Sequence, residues 1–326
     1  MPRQLMLGSL FTTLALCYGQ CSAQTYPVKP VRMLISSSPG GPVDIGMRGL
    51  SDTLRQEMGQ PIIIENQGAA DGIIAAQTFV RAAPDGYMLL HTSAGPISLN
   101  PVIYAKLPYD PQADFTPVVM TGQFNSVILA NAAVPANSLK EFLALARSKP
   151  AAFSFGSAGS SSTSNMYAEW FRHAQNIDLY NVPYKTNPQA LAATASGEIH
   201  ATVFALGGAL AQAKAGKVKL LAAIAEQRLT AYPSLPTMKE EGVDIVIRNW
   251  VGTFARSGTP RDIIERWNRT LARAISDRAY IQKVLEPQGF EAAPPSGEST
   301  EAFAQFLVRD RANYVRIKNE AKLKTE

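Results

Sequence analysis

Apolar positions along the chain follow two spacings, and the switches between them mark the elements. Short, mainly apolar stretches at residues 31–36, 61–65 and 87–92 predict buried strands. Between the first two, Met47, Leu50, Leu54 and Met58 fall three or four apart. That spacing predicts one buried helical face opening near Asp44, with Gly59 suited to the C-terminal cap. A second helix is predicted over residues 72–82. Strands alternating with helices in this way predict a mostly parallel sheet covered by helices.

A second unit of the same kind begins near residue 125. Residues 126–130 read as a strand. Ser138 and Glu141, three apart, read as a capping box for a helix that ends before Pro150. A strand at 153–156 leads into a serine-rich loop and a helix containing Met166, Trp170 and Phe171, followed by strands near 181–184, 200–204 and 218–225. The rest is helical. Thr259 and Pro260 read as N-cap and first helical residue, ahead of a stripe of Ile263, Ile264, Trp267, Leu271 and Ile275. The last helix carries Phe303, Phe306, Leu307, Tyr314 and Ile317. These stripes are expected to face cores. No internal repeat is evident.

The first residues have a different pattern. Arg3 precedes an apolar run from Leu5 to Leu16, and small and polar residues then lead to Cys21-Ser22-Ala23. This is the layout of a secretory signal peptide, residues 1–23, cleaved after Ala23. The run is shorter than the roughly 20 residues of a spanning helix. Lipid anchoring at Cys17 or Cys21 is the competing reading, but Leu16 and Gln20 before them are not the small residues that processing favours. Both cysteines of the chain lie in this leader. The mature chain is therefore expected to have no disulfide, thiolate chemistry or Cys-based metal site. Its length exceeds one typical core, which predicts two domains. The formal charge of +5 falls to +4 once Arg3 leaves. The basic residues are scattered, so no nucleic-acid patch is expected.

Catalytic signatures are missing. The histidines, His91, His173 and His200, lie far apart. There is no metalloprotease helix motif, nucleophile elbow or phosphate-binding P-loop. The expectation is a protein that is not an enzyme, with no cofactor and no metal.

Two turns stand out instead. The first is Ser36-Ser37-Ser38-Pro39-Gly40-Gly41, joining a strand end to a helix start, where ligands bind in open α/β sheets. Gly40 and Gly41 allow close backbone approach, and free N–H groups of a first helical turn favour an anion. Asp44 fits helix capping better than anion contact. The second turn is Ser157, Ala158, Gly159, Ser160, Ser161, Ser162, Thr163, Ser164 and Asn165, again between a strand and a helix. It offers hydroxyls and amides without charge. A glycine-rich connector or a flexible linker would share these compositions. As a pair, one per domain, the turns suggest a cleft closing on an anion, because uncharged donors hold a carboxylate at roughly 1.5–3 kcal/mol per hydrogen bond.

An ordered series of short motifs carries a family resemblance. It runs from Tyr26-Pro27-Val28-Lys29-Pro30-Val31-Arg32 through Pro39-Gly40-Gly41, Asp44, Pro84-Asp85-Gly86-Tyr87, Asn100-Pro101, Tyr104, Tyr109-Asp110-Pro111 and Asp114-Phe115-Thr116-Pro117. It continues with Gly156-Ser157-Ala158-Gly159, Val182-Pro183-Tyr184-Lys185, Pro233-Ser234-Leu235-Pro236-Thr237 and Gly258-Thr259-Pro260. With this series the chain resembles the Bug or TctC family, the extracytoplasmic solute receptors of tripartite tricarboxylate transporters. The resemblance implies a periplasmic-binding-protein fold: two α/β domains joined by two crossing strands, with a ligand cleft between them. It implies domain 1 over 24–124 plus 254–326, domain 2 over 125–253, and crossings near 121–127 and 249–255. It also implies a periplasmic monomer that captures a small organic carboxylate, partly through ordered water, and delivers it to two membrane subunits. Presentation of the bound carboxylate to a sensor kinase is the alternative. The implied ligand-binding segments are the loop after the first strand, the segment with Thr92, Ser93 and Ala94, and the loop from Ser157 to Asn165.

Departures from the family pattern bear on the ligand. Ser36 and Ser37 stand where the family commonly has Pro and Phe, which implies a larger or wetter pocket. Phe204 and His200 stand where an Asp is common. Phe204 cannot pair with an amino group, which argues against an amino-acid ligand. Phe204 and Tyr184 could stack on an aromatic carboxylate or simply pack their strands.

Overall fold

A computed structural model describes residues 26–159, 162–229, 232–291 and 294–325. The expected leader, residues 1–23, and Ser160 and Ser161 lie outside the described residues. In chain order the first unit comprises β1 (Val31–Ile35), α1 (Pro42–Met58), β2 (Ile62–Asn66), α2 (Ile73–Val80), β3 (Met88–Ser93), α3 (Asn100–Ile103) and β4 (Phe115–Phe124). The second comprises β5 (Ser126–Asn131), α4 (Leu139–Ser148), β6 (Phe153–Ala158), α5 (Thr163–His173), β7 (Leu179–Tyr184), α6 (Asn187–Ser196), β8 (Ala201–Ala205), α7 (Leu206–Lys214) and β9 (Val218–Ile224). The chain then returns with β10 (Asn249–Arg256), α8 (Arg261–Ile275), α9 (Arg278–Tyr280), β11 (Phe290–Glu291) and α10 (Thr300–Glu320).

The strands form two sheets, β11-β4-β10-β3-β1-β2 and β7-β6-β8-β5-β9. Each sheet has the expected parallel core, β2-β1-β3 and β7-β6-β8. Neither is parallel throughout. β10 runs antiparallel to β3 and β4, and β5 runs antiparallel to β8 and β9. These antiparallel neighbours belong to the parts of the chain that leave and re-enter each unit. Periodicity reports burial, not strand direction, so the sequence does not reveal them.

The local signals hold in most places. Gly59 closes α1 at φ 71°, a left-handed conformation that costs a glycine little. Ser138 Oγ accepts the Glu141 N–H, and the Glu141 carboxylate reaches back to the Asn137 N–H. Thr259 departs from expectation. Its hydroxyl donates to the Arg256 carbonyl, and Pro260 stands at the N-cap of α8 without a side-chain cap. The second crossing also differs. β10 pairs with β4 along its length and with β3 over 251–254, so the chain has already rejoined the first sheet at Asn249, where the expected crossing at 249–255 begins. A boundary at 253/254 would cut through this strand, whose uniformly buried apolar residues gave no sign of which sheet they join.

The predicted stripes face cores. Ile264, Trp267, Leu271 and Ile275 of α8 are buried with Val31, Met33 and Ile35 of β1. On the other face of the sheet, α10 buries Phe303, Phe306 and Tyr314 around Trp250 of β10. The Trp250 and Phe303 rings meet edge to face at 5.5 Å. A buried indole N–H needs an acceptor. It donates to Asp310 Oδ2 at 2.8 Å, on α10.

That acceptor is costly to hold as an anion. Burial pushes the Asp310 carboxyl up to about 6, against partial offset from its hydrogen bonds and nearby arginines. A carboxyl raised in the folded state destabilises the fold increasingly as pH rises from the unfolded value toward 6. Asp310→Asn keeps an acceptor for Trp250 and removes the charge. It should raise stability at pH 7 by roughly 1–3 kcal/mol and have much less effect at pH 4, read from urea midpoints. His91 of β3 has the converse behaviour. It is buried, with Nδ1 3.0 Å from Thr253 Oγ1, and burial pushes it down to about 3. Between pH 6.5 and 3 the unfolded chain therefore takes up a proton that the folded chain refuses. Stability should fall across that window by up to about 5 kcal/mol, and His91→Gln should flatten the slope of urea midpoint against pH.

Candidate functional site

Strand directions put both serine-glycine turns at one junction. β4 is antiparallel to β10, which is antiparallel to β3, so β4 ends at the same edge as β1, β2 and β3. From that edge the chain crosses through Asn125 alone into β5. Ser126, the first residue of β5, is in register with Ala205, the last of β8. β6 and β7 run parallel to β8, so they too end at the crossing edge. The loops after β1 and β3 in one lobe, and after β6 in the other, thus leave their sheets where the lobes meet.

In the first lobe, Ser36 and Thr92 are buried, with hydroxyls 2.6 Å apart. This pair ties the ends of β1 and β3 together. Ser37 Oγ is buried and makes no hydrogen bond within the protein. Ser38 is exposed, and its carbonyl accepts the Gly41 N–H at 3.3 Å. Gly40 adopts φ 77° and donates its N–H to Asp44 Oδ2 at 2.9 Å. Ser93 is half-buried beside the buried Ala94, where β3 runs into the turn at 95–99.

The expected N–H cradle of Gly40 and Gly41 is therefore already engaged by the protein. Gly41, not Asp44, is the N-cap of α1, and Pro42 follows it without an N–H. Asp44 sits in the first turn and reaches back to Gly40, while also accepting from Arg48 and from Asn66 Nδ2. Burial raises the Asp44 carboxyl, but these donors outweigh it and hold it below the ordinary carboxylate range. The helix start is thus neutralised by its own acid, which leaves the Ser37 and Ser38 side chains of this turn without a protein partner among the described residues.

In the second lobe, Ser157 is buried with no partner for its hydroxyl. Gly159 turns the chain at φ 75°. Ser162 is the N-cap of α5, accepting the Asn165 N–H and donating to the Gly159 carbonyl at 2.9 Å. Ser164 Oγ accepts from the Ala158 N–H and donates to Asn187 Oδ1. Asn165 Oδ1 accepts from Asn181 Nδ2 at 2.7 Å. Much of the serine run therefore builds the loop. Among the described residues of this loop, Ser157 and the half-buried Thr163 keep side chains free of such bonds.

Tyr184 ends β7 in register with Ala158. Its hydroxyl donates to Glu198 at 2.8 Å, and burial together with that carboxylate pushes it up to about 12. Phe204 lies one residue before the end of β8, half-buried, its ring so close to Gly208 that a Cβ there would sit 2.4 Å away. His200 lies at the opposite end of β8, bonded to Ser154, away from the crossing edge.

One segment escaped the sequence reading: the loop after β2. A Cβ on Gly68 would sit 2.3 Å from the Ser38 nitrogen, and one on Gly72 would sit 2.5 Å from Pro96 Cγ and 3.2 Å from Ser36 Cβ. This loop supports the other two from behind. Two glycines after a strand were its signal, but nothing in the sequence links them to Ser38 and Pro96.

Comparison with known proteins identifies the family. Residues 47–319 match the family described as "Tripartite tricarboxylate transporter family receptor". The chain is 28% identical to Protein BugT of Bordetella pertussis, over 99% of both chains. It is 30% identical to a UPF0065 protein of the same species, over 93% of this chain and 94% of that one. Among solved structures, Rpa4515 of R. palustris with adipate is 26% identical, with a TM-score of 0.84 over 92% of this chain and all of that one. MatC of Rhodopseudomonas palustris with bound malate is 28% identical, with a TM-score of 0.79 over 90% of this chain and 99% of that one. The chain therefore belongs to the tripartite tricarboxylate transporter receptors, the Bug or TctC family of periplasmic solute-binding proteins, and has their two-lobed α/β fold.

Proposed function

We propose that this protein captures a small organic carboxylate between its lobes, without chemical turnover, and delivers it to the membrane subunits of a tripartite tricarboxylate-type transporter. Export by the leader at 1–23 would place it in the periplasm as a monomer. In this reading one lobe spans 24–124 together with the C-terminal part from β10 onward, and the other comprises the chain between Asn125 and the return connection.

The observation that carries the reading is a matched pair of orphan hydroxyls. Ser37 Oγ and Ser157 Oγ are both buried without a protein partner, one on each side of the crossing. A buried hydroxyl left unpaired is costly, and an oxygen ligand would satisfy it. Ser38, Ser93 and Thr163, with no side-chain bonds to other described residues, flank them. The malate and adipate held by the two solved relatives are dicarboxylates, which suits a site with donors on both sides. Phe204 offers an apolar edge there rather than an anion, which favours a ligand with an apolar body over an amino acid.

Thermal-shift titration should find stabilisation by adipate, malate or an aromatic carboxylate, about 2.7 kcal/mol at a hundredfold excess over Kd. Stabilisation by glutamate or aspartate alone would overturn the ligand class. Ser37→Ala and Ser157→Ala should each weaken binding about 10- to 100-fold without lowering unliganded stability, because neither hydroxyl bonds to the protein and each is costly to bury unpaired. Ser36→Ala should instead lower stability through loss of the pair with Thr92. Unchanged affinity in both orphan-serine variants would remove these hydroxyls from the site.

A further inference from the structure

A cavity of about 500 Å3 lies away from the cleft loops, between the return connection and α10. One wall belongs to the second lobe. There the Met238 N–H bonds the Ala223 carbonyl of β9, which fixes the turn bearing Lys239. The opposite wall is α10, where Arg309 and Arg316, seven residues apart, share a helix face. Arg248, just before β10, also lines the cavity, and the buried Phe306 ring adds an apolar surface.

These four cations differ in their commitments. Arg248 pairs with Glu226, and Arg316 pairs with Glu320 at 2.9 Å and with Asn313. Among the described residues, neither the Lys239 nor the Arg309 side chain has a hydrogen-bond or ion-pair partner, although both line the cavity. The acids on the walls do not cancel them. Glu226 is used by Arg248, and Asp244 and Asp310, which accepts from Trp250, complete three acids against the four cations of the lining.

We propose that this cavity is a second anion site, separate from the carboxylate cleft, and that it takes a doubly charged oxyanion of the phosphate type. Lys239 and Arg309 hold the anion from opposite lobes. Arg248 and Arg316 add guanidinium donors, whose planar fork matches oxyanion geometry. A bound dianion relieves the mutual repulsion of the cations and ties the return connection to α10. The site is open to solvent, so affinity is on the order of a millimolar at low salt and falls as salt rises.

The test is calorimetric titration of the purified full chain with inorganic phosphate and with sulfate, against chloride at equal ionic strength. Saturable phosphate binding is expected, at least tenfold weaker in the double variant Lys239→Gln/Arg309→Gln and unchanged in Ser157→Ala. Both double-variant positions are exposed, and thermal unfolding of that protein checks that it folds. Glu226→Gln, which frees Arg248, is expected to tighten phosphate binding several-fold. A response equal to that of chloride, an unaffected double variant, or loss of phosphate binding in Ser157→Ala would each overturn the proposal. Carboxylate binding is read separately, so failure here leaves the cleft reading standing.

Discussion

The structure turns on the passage of the chain through Asn125. One residue separates β4 of the first sheet from β5 of the second. Its N–H donates to the Gly289 carbonyl and its own carbonyl accepts the Leu206 N–H, so it is bonded on both sides. Beside it, Asn249 Nδ2 at the start of β10 donates to Ser126 Oγ. A crossing this short leaves little freedom in where the sheets end relative to each other. Every strand parallel to β4 in one sheet, and to β8 in the other, must end at the junction.

That constraint explains how ordinary βα loops come together at the proposed site. The loops after β1, β3 and β6 are tied down internally by Ser36–Thr92, Asp44–Gly40 and Ser162–Gly159 contacts. Each bond uses up a donor or acceptor that could otherwise meet a ligand. What survives is sparse: among the described residues of these loops, the Ser37, Ser98 and Ser157 hydroxyls are the buried remainder. A rigid loop with a few unspent donors orders little on binding, so more of each hydrogen bond's free energy appears as affinity.

The lobes are also joined away from the loops. α5, capped by Ser162 beside the candidate site, carries Trp170, whose Nε1 donates to Glu320 of α10. Tyr167 of the same helix accepts the Ile247 N–H on the return connection. The helix that opens at the second loop therefore rests on the C-terminal helix and the second crossing. Changes in lobe spacing would be felt along α5 at both ends.

The residues alone determined the alternation of strands and helices, the faces that pack, the Gly59 and Ser138 caps, and the two hydroxyl-rich turns. These depend on contacts between neighbours in sequence, which spacing reports directly. Only the tertiary structure decided which serines remain free. Ser36, Ser37 and Ser38 look alike in the sequence, yet one is spent on Thr92, one is buried unpaired and one is exposed. The direction of β10, the place of the second crossing and the support of Ser38 by Gly68 were likewise illegible. Each depends on a partner far away in the chain, and a hydroxyl has no spacing rule that announces its partner.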